Sequence, residues 1–171
     1  RLYSSTDRNG GTTTVTFIGG GTTTTVTTAA GLTTTSVYNR AGELISLTQS
    51  GAGLTVGTAT YEYDAAGRLR VATDASGRSS YIYYDKAGRK VATANERGEI
   101  TEYRYDAAGR LVATIAYANA LAGTNKAAFE NPASSADFAS LRPAASSADV
   151  WAWTVYDDAG RVIQAIENGG G

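Results

Sequence analysis

The chain has 171 residues, 42% of them hydrophobic and 18% charged, with a net charge of −1. Such a composition is globular rather than disordered, and the near-neutral balance argues against nucleic acid or a polybasic membrane surface as partner. Cysteine, histidine and methionine are absent, which removes disulfides, thiol and Ser-His-Asp catalysis and thiolate metal sites. No apolar run approaches the ~18 residues of a membrane span, and no signal-peptide pattern is present in these residues, so export has to be argued indirectly. A chain without methionine has no initiator. It reads either as a processed or excised piece of a longer protein or as a chain whose flexible ends are missing.

The N-terminal part, 1–60, holds 18 of the 24 threonines. Segments 12–18, 22–28 and 32–38 read as its first three strands. Threonine is β-branched and suits a strand but buries little apolar area. The expected sheet is therefore solvated or covered by a partner. The threonines are also open to O-linked glycans, with plain strand threonines the favoured reading.

Residues 61–116 are more regular. Tyr61-Glu-Tyr-Asp-Ala-Ala-Gly-Arg-Leu, Tyr81-Ile-Tyr-Tyr-Asp-Lys-Ala-Gly-Arg-Lys and Tyr103-Arg-Tyr-Asp-Ala-Ala-Gly-Arg-Leu place Asp64, Asp85 and Asp106 21 residues apart. A fixed period near 20 marks one supersecondary unit copied and stacked. In each copy Tyr, Ile and Val favour a strand. The Asp opens a turn, because its carboxylate accepts from backbone N–H groups just ahead. The Gly three residues on suits the left-handed position that closes the turn. Asp74-Ala-Ser-Gly77 and Asn95-Glu-Arg-Gly98 make the second turn of a unit. Gly42, Gly67, Gly77, Gly88, Gly98, Gly109 and Gly160 are expected to close hairpins with positive φ. Tyr38-Asn-Arg-Ala-Gly42 is an intermediate form, with Asn39 in the Asp place. Glycine turns mostly 10 or 11 residues apart indicate an all-β antiparallel hairpin meander or spiral, solenoid-like.

Period-2 counting puts Tyr61 with Tyr63, Ile82 with Tyr84 and Tyr103 with Tyr105 on the expected inner face. Glu62, Tyr83 and Arg104 fall on the expected solvent face. Residues 117–149 break the period, carry both prolines, Pro132 and Pro143, and read as an inserted loop with short helices near 125–130 and 134–142. The repeat resumes at 150–171. The four parts, 1–60, 61–116, 117–149 and 150–171, are expected to make one continuous domain.

The repeated motif consists of Tyr63, Asp64, Gly67 and Arg68, then Tyr84, Asp85, Gly88 and Arg89, then Tyr105, Asp106, Gly109 and Arg110, and last Tyr156, Asp157, Gly160 and Arg161. The form Tyr-x-Tyr-Asp-x-x-Gly-Arg-Leu every 20 or so residues resembles the YD or Rhs repeat family. Tyr61–Leu69 and Tyr103–Leu111 match it fully. The resemblance implies an all-β spiral of hairpins. In toxin complexes, whose C components belong here, such spirals form a hollow shell around a toxic domain. In bacterial surface proteins and in teneurins they serve attachment. The shells end in a self-cleaving segment with an Asp-Pro-x-Gly-like motif, which this chain lacks, so no protease residues carry over.

The motif tyrosines are expected to form one column. The motif arginines should form a second, neutralised by turn aspartates. Turn chemistry is preferred over calcium at Asp157-Asp158, because a hard cation needs six or more oxygens. A glycosidase pair needs carboxylates ~5–10 Å apart; Glu62 and Glu102 are the nearest such reading and a weak one. Trp151 and Trp153 share a face, read as anchoring the resumed sheet, with a sugar surface as alternative. No catalytic, cofactor or metal residue is assigned. The expectation is a non-enzymatic, extracellular or cell-surface module that builds a fibre or surface layer by pairing end to end with identical copies or further repeats. A toxin-shell segment is the alternative, and a carbohydrate-binding module a distant third.

Overall fold

The computed structural model describes residues 1–51 and 53–168. It divides into two compact units, Arg1–Ser79 and Ser80–Gly171. Both are antiparallel β-structure in which each strand pairs with its neighbour in sequence.

In the first unit β1 (Leu2–Thr6), β2 (Thr12–Ile18), β3 (Gly21–Thr27), β4 (Thr33–Tyr38), β5 (Leu44–Gly51), β6 (Leu54–Tyr63) and β7 (Leu69–Thr73) follow in chain order. The strand Leu2–Thr6 precedes the three expected from sequence. Too short and polar to announce itself, it is fixed by pairing with β2, Leu2 against Thr16 through Thr6 against Thr12. Register explains the threonines. Ser4, Thr14, Thr25, Thr35, Thr48 and Thr58 line up as one cross-strand row. Hydroxyl contacts join Thr25 to Thr35 at 3.4 Å and Thr48 to Thr58 at 2.8 Å. Such pairs stabilise a sheet without a deep core. Among the described residues before Arg70, none is fully buried.

The second unit contains β8 (Ser79–Tyr84), β9 (Lys90–Asn95), β10 (Ile100–Tyr105), β11 (Leu111–Ala116), β12 (Val150–Tyr156) and β13 (Val162–Asn168). Between β11 and β12 the insert forms α1 (Gly123–Glu130) and α2 (Phe138–Leu141). The chain then returns to the adjacent place in the sheet, with Ala113 against Trp153 and Ala116 against Val150. The insert is therefore looped out of an uninterrupted ladder.

The face assignment from sequence is reversed here. Tyr83, expected on the solvent side, is 3% exposed, while Ile82, Tyr84, Tyr103 and Tyr105 are half-buried. The insert is the reason. It lays Leu121, Phe129, Phe138 and Leu141 against Tyr83, Ala92, Ala94 and Ile100 to form the buried cluster. The Tyr83 ring stacks on Phe129 at 5.1 Å, and its hydroxyl donates to the Ala136 carbonyl at 2.6 Å. Glu62, by contrast, is exposed as expected and Arg104 is half-buried.

Candidate functional site

Two constructions stand out: the repeated turn, and a charged cluster under the insert. In the turn at Asp64, the Asp64 N–H donates to the Arg68 carbonyl at 2.9 Å and the Gly67 N–H to the Asp64 carbonyl at 3.0 Å. Asp64 Oδ1 accepts from the N–H groups of Ala66 and Arg68, and Oδ2 from Arg68 Nε at 2.8 Å. One carboxylate thus satisfies two backbone donors and a guanidinium. Asp85 with Arg89, Asp106 with Arg110 and Asp157 with Arg161 repeat the ion pair at 2.7, 2.7 and 2.8 Å. The motif arginines are neutralised by the Asp of their own turn.

Glycine closes each turn. Gly42, Gly67, Gly77, Gly88, Gly98, Gly109 and Gly160 have φ between 75° and 85°. Gly98 is doubly constrained: a Cβ there would meet the Leu121 carbonyl oxygen at 2.5 Å. Two turns use reversed chemistry. At Asn39 and Asn95 the side-chain amide takes the Asp place and donates to Glu43 and Glu99, in the Arg place, at 2.5 and 2.6 Å.

These contacts hold the turn carboxylates ionised. The Ser76 hydroxyl, followed by the Arg78 backbone N–H, brings Asp74 down to about 2. The backbone N–H and guanidinium of the turn arginine lower Asp106 and Asp157. For Asp64 and Asp85 burial pushes upward, and the arginine hydrogen bonds outweigh it.

The register skips one residue on the return strand beside the Tyr38-Asn39 turn and each Tyr-Asp turn, between Val37 and Tyr38, Glu62 and Tyr63, Tyr83 and Tyr84, Arg104 and Tyr105, and Val155 and Tyr156. Just past three of these skips, the motif tyrosine ties its hairpin to the one before. Tyr63 donates its hydroxyl to the Leu44 carbonyl at 2.8 Å, Tyr105 to that of Lys90 at 2.8 Å and Tyr156 to that of Leu111 at 2.9 Å. The preceding turn's arginine lies over the ring: Arg89 over Tyr105 at 4.9 Å, Arg110 over Tyr156 at 4.8 Å. The contact at these two tyrosines is guanidinium on ring, where the sequence suggested ring on ring. Each is a cation–π contact between hairpins.

The charged cluster was not anticipated. Glu102, named from sequence only as one of a carboxylate pair, is 1% exposed. Its Oε1 accepts from Arg104 Nε at 2.9 Å and Arg142 at 2.7 Å; its Oε2 accepts from the Tyr117 hydroxyl at 2.5 Å. Burial pushes its carboxyl up, but hydrogen bonds from Arg104, Arg142 and Tyr117 together hold it below the ordinary carboxylate value. Burial and the same carboxylate push the Tyr117 hydroxyl up to about 12. A carboxylate so saturated is poorly suited to act as a base or nucleophile. Arg104 also lies 5.0 Å from the centre of the Trp151 ring, which stacks on Trp153 at 5.3 Å. Both tryptophans are half-buried. Ile115 faces Glu102 on one side and Trp151 on the other, so the tryptophans share the insert's side of the sheet.

Asp157, read from sequence against calcium, spends its carboxylate on the N–H and guanidinium of Arg161. Among the described residues, no group of three or more His, Cys, Asp or Glu is placed to hold a metal ion. None of the described helices is long and apolar enough to cross a membrane.

The geometry of the turns agrees with the comparison to known families. The RHS Repeat family matches residues 38–79, 63–100 and 84–121. Over residues 38–121 the chain belongs to the RHS-repeat family. No curated protein matches the sequence. Among solved structures, the chain resembles part of a crystal structure of TcdB2-TccC3-Cdc42, with 13% identity and a TM-score of 0.43, over 96% of this chain and 11% of that one. It also resembles part of the Photorhabdus luminescens Tc holotoxin pore, with 14% identity and a TM-score of 0.41, over 92% of this chain and 10% of that one. The chain thus spans about a tenth of the length of these neighbours.

Proposed function

We propose that this chain is a structural, non-catalytic wall segment of an Rhs-type shell, secreted or held at the cell surface, whose wall is extended by further repeats of the same polypeptide. The observation that carries this reading is the linkage between hairpins. Tyr63, Tyr105 and Tyr156 each cap a carbonyl of the hairpin before, so a wall lengthens by adding hairpins in sequence. The RHS repeats at 38–121 support the same reading. The motif residues, from Tyr63 to Arg161, then serve register and closure of the wall, with no role in chemistry.

The fibre built by end-to-end pairing of identical copies draws less support, because the RHS Repeat match at 38–121 favours the wall reading. Light scattering with negative-stain imaging of the purified 171-residue chain separates the two. A wall segment stays small and does not form ordered polymers; regular filaments that grow with concentration would favour the fibre.

A further inference from the structure

We propose that residues 118–149 form a strap that docks on the β8–β11 face as a unit, that Glu102 locks it there through Arg142, and that the strap undocks without unfolding the strands beneath. Three observations carry this.

The strap is closed at its own base. Asp149, 6% exposed, accepts from the Ala118 N–H at 2.8 Å through Oδ1 and from the Ser146 N–H at 3.0 Å through Oδ2. Asn119 donates to the Ala144 carbonyl at 2.7 Å. Its helical turns carry their own bonds, from Lys126 N–H to Ala122, from Asn131 N–H to Ala127 and from Ser140 N–H to Asp137. The loop is thus tied together independently of the sheet face.

Near its root the strap makes one backbone bond to the turn below, from the Leu121 N–H to the Gly98 carbonyl at 2.8 Å, and the Tyr83 hydroxyl reaches the Ala136 carbonyl; the rest of its body meets the face through side chains. Phe129 and Phe138 pack on Tyr83, at 5.1 and 6.0 Å between ring centres, and Arg142 reaches Glu102. The strands below are knit by backbone ladders. Proteins open locally in contiguous cooperative units at free energies below that of global unfolding, and a looped-out segment closed at its own base is such a unit.

The partners of Glu102 lie on both sides of the seam. Arg104 is two residues away on the same strand, and Tyr117 stands at the strap's root, where its N–H donates to the Ile100 carbonyl at 3.1 Å. Both stay with Glu102 when the strap lifts. Only Arg142 travels with the strap. An undocked state therefore keeps two of the three partners on the carboxylate while opening it to water, so no bare buried charge is left behind. Docking in the wrong position forfeits the third. Glu102 is thus a positioning residue that selects one seat for the strap.

Hydrogen exchange followed by mass spectrometry on the whole chain tests this. In the wild-type protein, amides of 124–141 should exchange about tenfold or more faster than those of Tyr81–Tyr84 and Thr101–Arg104. Arg142→Met should speed the strap by a further factor of about ten while leaving the strands within about twofold. One common rate for strap and strands in the wild type would overturn the proposal. So would a variant in which both accelerate together. Should Arg142→Met fail to fold, the wild-type comparison decides alone.

Discussion

Tyr156 donates its hydroxyl to the Leu111 carbonyl at 2.9 Å, although 45 residues of chain separate them. The Arg110 guanidinium covers the same ring at 4.8 Å. The link that joins Tyr105 to Lys90 across 15 residues is thus reproduced across the insert. Tyr156→Phe should cost about 0.5–1.5 kcal/mol by removing that hydrogen bond. A double-mutant cycle of Arg110→Met with Tyr156→Leu should give a coupling of about 0.5–1 kcal/mol in urea titrations. Zero coupling would mean that the stack does not hold the hairpins in register.

The turns offer a swap. Asp74–Arg78 and Asn95–Glu99 occupy equivalent places with opposite chemistry. Arg78→Glu alone puts two carboxylates in one turn and should lower the denaturation midpoint. Adding Asp74→Asn recreates the pairing seen at Asn95 and should restore most of the loss. If the double variant is no better than the single, the side-chain pair is incidental to the turn.

The buried aromatic under the insert should dominate the stability of the second unit. Tyr83→Ala should cost about 3–5 kcal/mol, as for other large buried aromatics. Tyr83→Phe keeps the ring against Phe129 and Phe138 and should cost only about 1 kcal/mol for the Ala136 hydrogen bond. Equal losses in the two variants would place the stabilisation in the hydroxyl.

Two windows of pH dependence follow from the Glu102 cluster. The Tyr117 pKa is raised in the folded state, to about 12 from an ordinary 10.0. Its stability contribution is therefore complete below pH 10 and is lost as pH rises towards 12. Glu102 is lowered in the folded state. Its contribution is present above the ordinary carboxylate range and is lost as pH falls through its folded value. Urea titrations should show a shallower alkaline loss in Tyr117→Phe and a shallower acid loss in Glu102→Gln. Unchanged slopes in both would mean that the network does not titrate with folding.

Much of the fold was legible from Asp, Gly and Arg alone, because a tight turn places strict demands on a few residues that recur at fixed spacing. The side of the sheet that is covered was not. Period-2 counting separates Tyr83 from Tyr84 but cannot say which face another segment will cover, and here that segment lies 34 or more residues further along the chain. The signal that could have found it is faint: Leu121, Phe129, Phe138 and Leu141 are the large apolar residues of an otherwise Ala- and Ser-rich stretch. Glu102 was similarly opaque, because its partner Arg142 is 40 positions away and belongs to no repeat.

The central claim, that this chain is wall rather than fibre, is tested most directly by electron cryomicroscopy of the full-length protein to which it belongs. The account predicts a hollow particle whose wall contains these hairpins, with Tyr63, Tyr105 and Tyr156 each bonded to the preceding hairpin of the same chain. A solid filament in which β1 or β13 pairs with a strand of another copy would contradict it.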